Sequence, residues 1–245
     1  MSGIKVAATA DIHSPKNLDL LKSSSQVLKE ADLLILAGDI IYRGRVEGLN
    51  EVLGVIKEHY SGPIFACFGN EEFDEVKPKL MSLSGGLIKW LDDEATIVEI
   101  KGYKIGLIGT RGCLDQPTSW QLKNIPNIRA IYNERLSKIG RLIQGLKCDY
   151  TILFSHYALC KETLEGEDPK IWPQLGCSKM GELIKDSSVT VAVHGHVHKG
   201  RVLRVNIGST LVLNVSLPAA KTIVTFTLPP QPLEVKGQLS LTTFF

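Results

Sequence analysis

Six short apolar runs constrain the fold of this chain more than any other feature: "IKVAATA", "DLLILAG", "PIFACFG", "KIGLIGT", "YTILFSH" and "VTVAVHG". Each is rich in β-branched residues or leucine and is bounded by turn residues, the signature of a buried strand. Between them, residues 18–30 and 46–60 carry apolar positions three and four apart. In 127–146, Ile128, Ile131, Tyr132, Ile139, Leu142, Ile143 and Leu146 form one stripe, as an amphipathic helix requires. Strand alternating with helix over the first 70 residues predicts a βαβ layer with a mostly parallel sheet. From Arg201 onward, "RVLRVNIGSTLVLNVS", "KTIVTFTL" and "LEVKGQLSLTTFF" read as successive strands with little helix. They predict a second, largely antiparallel sheet, so two packed sheets with helices outside are expected.

At 245 residues one large core suffices, and the whole chain, 1–245, is read as a single domain. No internal repeat or linker divides it; "LPPQP" at 228–232 is a proline turn. The 28 basic and 26 acidic residues leave a net charge of +2, too little for general affinity toward nucleic acid or a membrane surface. The five cysteines are odd in number and widely spaced, with no C-x-x-C pair. They suggest neither a disulfide framework nor a structural zinc site. With no long apolar segment for a membrane span, the expectation is a soluble, cytoplasmic protein.

The polar residues that follow the runs carry the chemistry. "ADIH" supplies Asp11 and His13, "AGD" Asp39, "FGN" Asn70 and "FSH" His156, while "HGHVH" adds His196 and His198. In open α/β sheets, ligands bind at the carboxyl ends of strands, so these segments converge on one crevice. D-x-H and H-x-H place alternate residues on the same side of an extended chain, where both reach one cluster. Seven ligands exceed the needs of one ion. A mixed carboxylate, amide and imidazole set suits Mn²⁺, Fe or Zn²⁺, and a carboxylate can bridge two ions ~3.5–4 Å apart.

The ordered series D-x-H, G-D, G-N, H and G-H-x-H, spanning residues 11–198, resembles the calcineurin-like metallophosphoesterase superfamily. The resemblance implies a four-layer α/β/β/α sandwich. It implies that Asp11, His13, Asp39 and His198 hold one metal and that Asp39, Asn70, His156 and His196 hold a second, with Asp39 as the bridge. The cofactors expected are two divalent ions, Mn²⁺ first, with Fe, Zn²⁺ or Ni²⁺ as alternatives. The activity expected is hydrolysis of a phosphodiester or phosphomonoester by in-line attack of a metal-bridging hydroxide, with a small phosphate ester such as a nucleotide as substrate.

The chain departs from the family beside the ligands at one position, and Tyr42 of "GDIIYRG" replaces the second aspartate of the protein-phosphatase branch. Many members read G-N-H-[DE], with a histidine that serves the leaving oxygen; this chain reads "GNEE", with Glu71 at that position. A positioned acid is worth about 10²–10⁴ in rate, so poor leaving groups should suffer most and aryl esters least. Glu71, counted here among the catalytic candidates with Asp39, Asn70 and His156, could orient His156 or His196, bind a hydroxyl or amine of the substrate, or pair with Arg43. Arg43 in "GDIIYRG" resembles the arginine of GDxxDRG in the protein-phosphatase branch, and Arg111 in "GTRG" is a second candidate for binding substrate phosphate. His194 matches no ligand position and is expected to be structural. Trp120, Trp172 and Tyr157 lie in the unassigned segments 111–126 and 157–177, where they frame an apolar leaving group or pin their own loops. The alternative reading is a noncatalytic metal-binding scaffold on the same fold.

Overall fold

The computed structural model describes residues 3–230. Its first half runs β1 (Ile4–Thr9), α1 (Leu18–Ser24), β2 (Leu33–Ala37), α2 (Gly48–Lys57), β3 (Ile64–Cys67), α3 (Lys77–Leu83), β4 (Ile88–Trp90), β5 (Glu94–Ile100) and β6 (Tyr103–Thr110). The second half runs α4 (Ser119–Asn124), α5 (Ile128–Gly145), β7 (Tyr150–Ser155), α6 (Ser178–Lys185), β8 (Val191–His194), β9 (Arg204–Ile207), β10 (Thr210–Asn214), α7 (Leu217–Ala220) and β11 (Val224–Leu228). All six apolar runs are strands, and the three amphipathic stretches are helical, the first tightening into a 3₁₀ turn over Ser25–Glu30.

Two mixed sheets result. One has the order β11-β1-β2-β3-β4, and the other β5-β6-β7-β8-β10-β9. Strands buried on both faces read as continuous apolar runs rather than as alternation, and β1 and β2 show why. Ile4, Val6 and Ala8 of β1, with Leu33 and Ile35 of β2, face the core between the sheets. Ala7, Leu34 and Leu36 face the opposite way, into a core closed by α1 and α2. A third core lies between the second sheet and α5 and α6, built from Ile108, Leu153, Ile139, Ile143, Met180 and Ile184. Helix, sheet, sheet and helix are the four layers expected.

Two expectations need correction. The strands after Arg201 do not form a second sheet of their own. β10 inserts parallel to β8, because Leu211, Val212 and Leu213 are buried on both faces. β11 returns to the first sheet, antiparallel to β1. The second sheet is therefore parallel through β6, β7, β8 and β10, with antiparallel strands at its two edges. The expected strand "LEVKGQLSLTTFF" and part of "LPPQP" lie outside the described residues. The sequence reading also omitted β4 and β5. Among the described residues no helix is long and apolar enough to cross a membrane. All five cysteines are free thiols.

Candidate dinuclear metal centre

Five strands end at one place. Asp11 and His13 follow β1, Asp39 follows β2, Asn70 follows β3, His156 follows β7, and His196 and His198 follow β8. The crevice thus spans the carboxyl ends of strands from both sheets.

The glycines of "AGD" and "FGN" let these ends approach one another. Gly38 has φ +83°, and a Cβ there would sit 2.7 Å from Gly69 N and 2.8 Å from His156 Nδ1. A Cβ on Gly69 would collide with the Asp39 backbone nitrogen and carboxylate. Only bare backbone at both positions brings Asp39 beside Asn70 and His156. The turns are strained as well. Asp11, His13, Asp39 and His196 have φ of 59°, 45°, 51° and 67°, in the left-handed region that costs on the order of 1–3 kcal/mol for a residue with a Cβ. Asp and His tolerate this region better than most residues, which fits their presence here.

The side chains form two facing sets. In the first, Asp11 Oδ1 lies 3.2 Å from His198 Nε2 and 3.8 Å from His13 Nε2, and the two imidazole nitrogens are 3.5 Å apart. In the second, His156 Nε2 lies 3.0 Å from Asn70 Oδ1 and 3.4 Å from Asp39 Oδ2, with the His196 ring 5.0 Å from that of His156. Asp39 Oδ2 stands between the sets, 3.7 Å from His13 Nε2. Ligand atoms gather in the groups Asp11–His13–His198, Asp39–His156–His196 and His13–Asp39–Glu71. Bonds of ~2.0–2.2 Å to a common ion put neighbouring ligand atoms roughly 3–3.5 Å apart, close to the spacing seen.

Backbone groups orient these side chains. His156 Nδ1 donates to Ala37 O at 3.1 Å, which turns Nε2 toward the crevice, where it could ligate an ion on losing its proton. Asp39 Oδ1 accepts from Glu71 N and Asp11 Oδ2 from His196 N, both at 2.8 Å. Asp11 Oδ1 is buried and accepts no hydrogen bond, and His13 Nδ1 is likewise buried without a partner. A buried carboxylate oxygen facing two imidazoles with no donor of its own is a group suited to a cation. The donor set therefore fits two divalent ions.

The electrostatics agree. Burial alone would lower the His156 imidazole, but the adjacent Asp39 charge and its hydrogen bond push it up to about 9. Burial, with the His156 charge behind it, takes His196 down to about 3. Burial opposes the Asp11 anion, yet the close approach of His198 and the charges of His156 and His198 hold it well below the usual carboxylate range. The carboxylates draw positive charge to the middle of the cluster.

The remaining candidates fall around this centre. Glu71 Oε2 accepts from Arg43 N at 2.5 Å, and its carboxylate also approaches His13 and Asp39. It thus bonds the backbone of Arg43 rather than its guanidinium, which lies in the open, 5.1 Å over the Tyr42 ring. Arg111 Nη2 donates to Glu72 O at 2.9 Å and to Asp74 Oδ1 at 3.0 Å, bracing the "GNEE" loop. His194 is buried, its Nδ1 donating to Gly195 O and its Nε2 2.8 Å from the Thr163 hydroxyl. Trp172 donates to Glu167 O within its own loop.

Sequence reasoning missed Glu72. It is wholly buried, and its carboxylate accepts from Gly69 N at 2.7 Å, Asp39 N at 2.8 Å and Ile41 N at 3.0 Å. Burial and then the Asp39 charge push it up to about 7, against the bonds from Ile41 and Gly69 that lower it. The signal was present, since Glu72 stands at the acidic position of G-N-H-[DE].

Two packed sheets thus bring Asp, Asn and His from five strand ends into adjoining groups that could each hold a cation. The chain belongs to the calcineurin-like phosphoesterase family, whose sequence profile matches residues 4–200; its general chemistry is metal-dependent hydrolysis of phosphoesters. No curated protein matches it. Among solved structures it is similar to phosphopantetheinyl hydrolase PptH from Mycobacterium tuberculosis, with 14% identity, a TM-score of 0.68, and coverage of 89% of this chain and 90% of that one. It is also similar to the sulfate thiohydrolase SoxB from Thermus thermophilus, with 11% identity, a TM-score of 0.56, and coverage of 92% of this chain and 53% of that one. At such identities the likeness shows the fold alone, and two such different reactions on one fold leave the substrate to be read from the site.

Proposed function

We propose that this chain hydrolyses a small phosphodiester or phosphomonoester at a site for two divalent ions. Asp11, His13, Asp39 and His198 would hold one ion, and Asp39, Asn70, His156 and His196 the other. The observation that carries this is Asp39 Oδ2, standing 3.7 Å from His13 Nε2 and 3.4 Å from His156 Nε2, where one carboxylate serves both sets. Mixed oxygen and imidazole donors suit Mn²⁺ first, with Fe, Zn²⁺ or Ni²⁺ as alternatives. The ions would supply Lewis acidity toward the phosphoryl oxygens and a nucleophilic water near neutral pH.

The protein's own groups orient and select. The Ala37 carbonyl fixes the His156 tautomer, Glu71 N holds Asp39, and His196 N holds Asp11. Glu71 stands where a histidine would serve the leaving oxygen, and its carboxylate is engaged with Arg43 N. Leaving groups that depart without a proton, such as aryl oxides, are therefore the better substrates. Arg43, exposed beside this loop, is placed to meet an incoming phosphate by charge. Bis(p-nitrophenyl) phosphate should be hydrolysed by protein carrying Mn²⁺, lose its hydrolysis on treatment with EDTA, and regain it on addition of Mn²⁺. A rate indifferent to the chelator would contradict the proposal.

A further inference from the structure

Beside the metal-ligand cluster the surface opens into a cavity of about 340 Å³ whose rim includes Asn70 and His196 and whose walls include Phe73, Leu114, Trp120 and Tyr157. Small-molecule sites run about 300–1,000 Å³. Two of its aromatic rings face solvent, with Trp120 62% and Phe73 37% exposed. Exposed aromatic side chains bordering a polar cavity are suited to a ligand with one flat apolar part.

Trp120 is held in place by its neighbours. It is the second residue of α4, whose N-terminus is fixed by a capping box: Thr118 Oγ1 accepts from Gln121 N, and Gln121 Oε1 accepts from Thr118 N at 3.0 Å. The loop before it is tied down by Arg135 Nη1 on Gly112 O at 2.8 Å and by Gln116 N on Pro173 O at 2.7 Å. The indole is thus presented on a rigid turn, a geometry that favours stacking with little loss of entropy.

The same network uses the polar groups that could read a ligand's edge. Gln121 Oε1 also accepts from Tyr132 Oη at 3.1 Å, and Gln121 Nε2 donates to Tyr157 Oη at 3.2 Å. The Tyr157 ring packs 4.9 Å from His196, which makes the apolar wall continuous with the proposed metal site. Glu71 and Thr118 also line the cavity, so the ligand meets aromatic surface with two polar side chains beside it, next to a phosphate position.

We infer that this cavity takes the base of a nucleotide-like phosphoester, stacked on Trp120, with little discrimination among bases. The inference rests on the phosphoester reading and names the substrate class of that site. Stacking on an aromatic side chain is sequence-tolerant because every base has a π-face.

Acyclic nucleoside phosphonates test it, since their P–C bond resists hydrolysis and calorimetry then reads binding alone. Phosphonomethoxyethyl adenine and phosphonomethoxyethyl cytosine should bind Mn²⁺-loaded protein about tenfold or more tighter than ethoxymethylphosphonate, which lacks a base. The two bases should agree within about threefold. Trp120→Ala should erase the advantage of the base, and Trp120→Phe should keep part of it. Equal binding of all three phosphonates, or a base advantage that survives Trp120→Ala, would overturn the inference and leave the phosphoester reading standing. If none binds, both readings fall.

Discussion

Asp39→Asn will lower kcat for bis(p-nitrophenyl) phosphate by about 10³ or more while the protein stays folded. Asparagine is nearly isosteric and tolerates the φ of 51° found at Asp39. Its amide oxygen can still accept from Glu71 N, which now sits 2.8 Å from Asp39 Oδ1. What is lost is the anion that both ligand sets share, so affinity for both metals should fall with the rate. Retention of more than about a tenth of the wild-type kcat would remove Asp39 from the proposed centre.

Glu72→Ala is expected to destabilise the fold by about 3–5 kcal/mol. Its carboxylate serves the N–H groups of Asp39, Ile41 and Gly69, and all three would be left buried without a partner. For a chain of this size the loss corresponds to roughly 6–20 °C in Tm by circular dichroism. Glu72→Gln keeps the volume and one acceptor oxygen, and should cost less. A Tm within 2 °C of wild type for the alanine variant, taken against ~2–4 °C per kcal/mol, would mean that Glu72 does not hold these turns together.

The contrast between Asp39 and Glu72 shows what a sequence makes legible. Asp11, His13, Asp39, Asn70 and His156 each sit just past an apolar run, so the rule that ligands gather at the carboxyl ends of strands was enough to assemble them. Glu72 acts on backbone nitrogens, two of them 33 and 31 residues away, so the strand-end rule does not reach it, and only its place at the acidic position of G-N-H-[DE] marks it. The same division holds for the fold. Strands buried on both faces are continuous apolar runs and were found. β5 alternates exposed and half-buried residues along "EATIVEI", so no such run marked it. The destinations of β10 and β11 were misread because an apolar run reveals a strand but not the neighbour it pairs with. That choice is made by packing: Phe226 and Leu228 complete the core between the sheets beside Val6 and Ile4.

The gathering of all seven candidate ligands also has a cost that function must justify. Four of them carry left-handed backbone, and buried carboxylates and imidazoles face one another with Asp11 Oδ1 accepting no hydrogen bond. Strain and unmet polarity concentrated at one site are expected where binding, rather than stability, sets the geometry.

The central claim, a site in which two ions act together across Asp39, is tested most directly by titrating metal-stripped protein with Mn²⁺ and following hydrolysis of bis(p-nitrophenyl) phosphate against metal bound. The account predicts a rate that rises with the second equivalent. A full rate at one equivalent, or two ions bound with no hydrolysis, would contradict it.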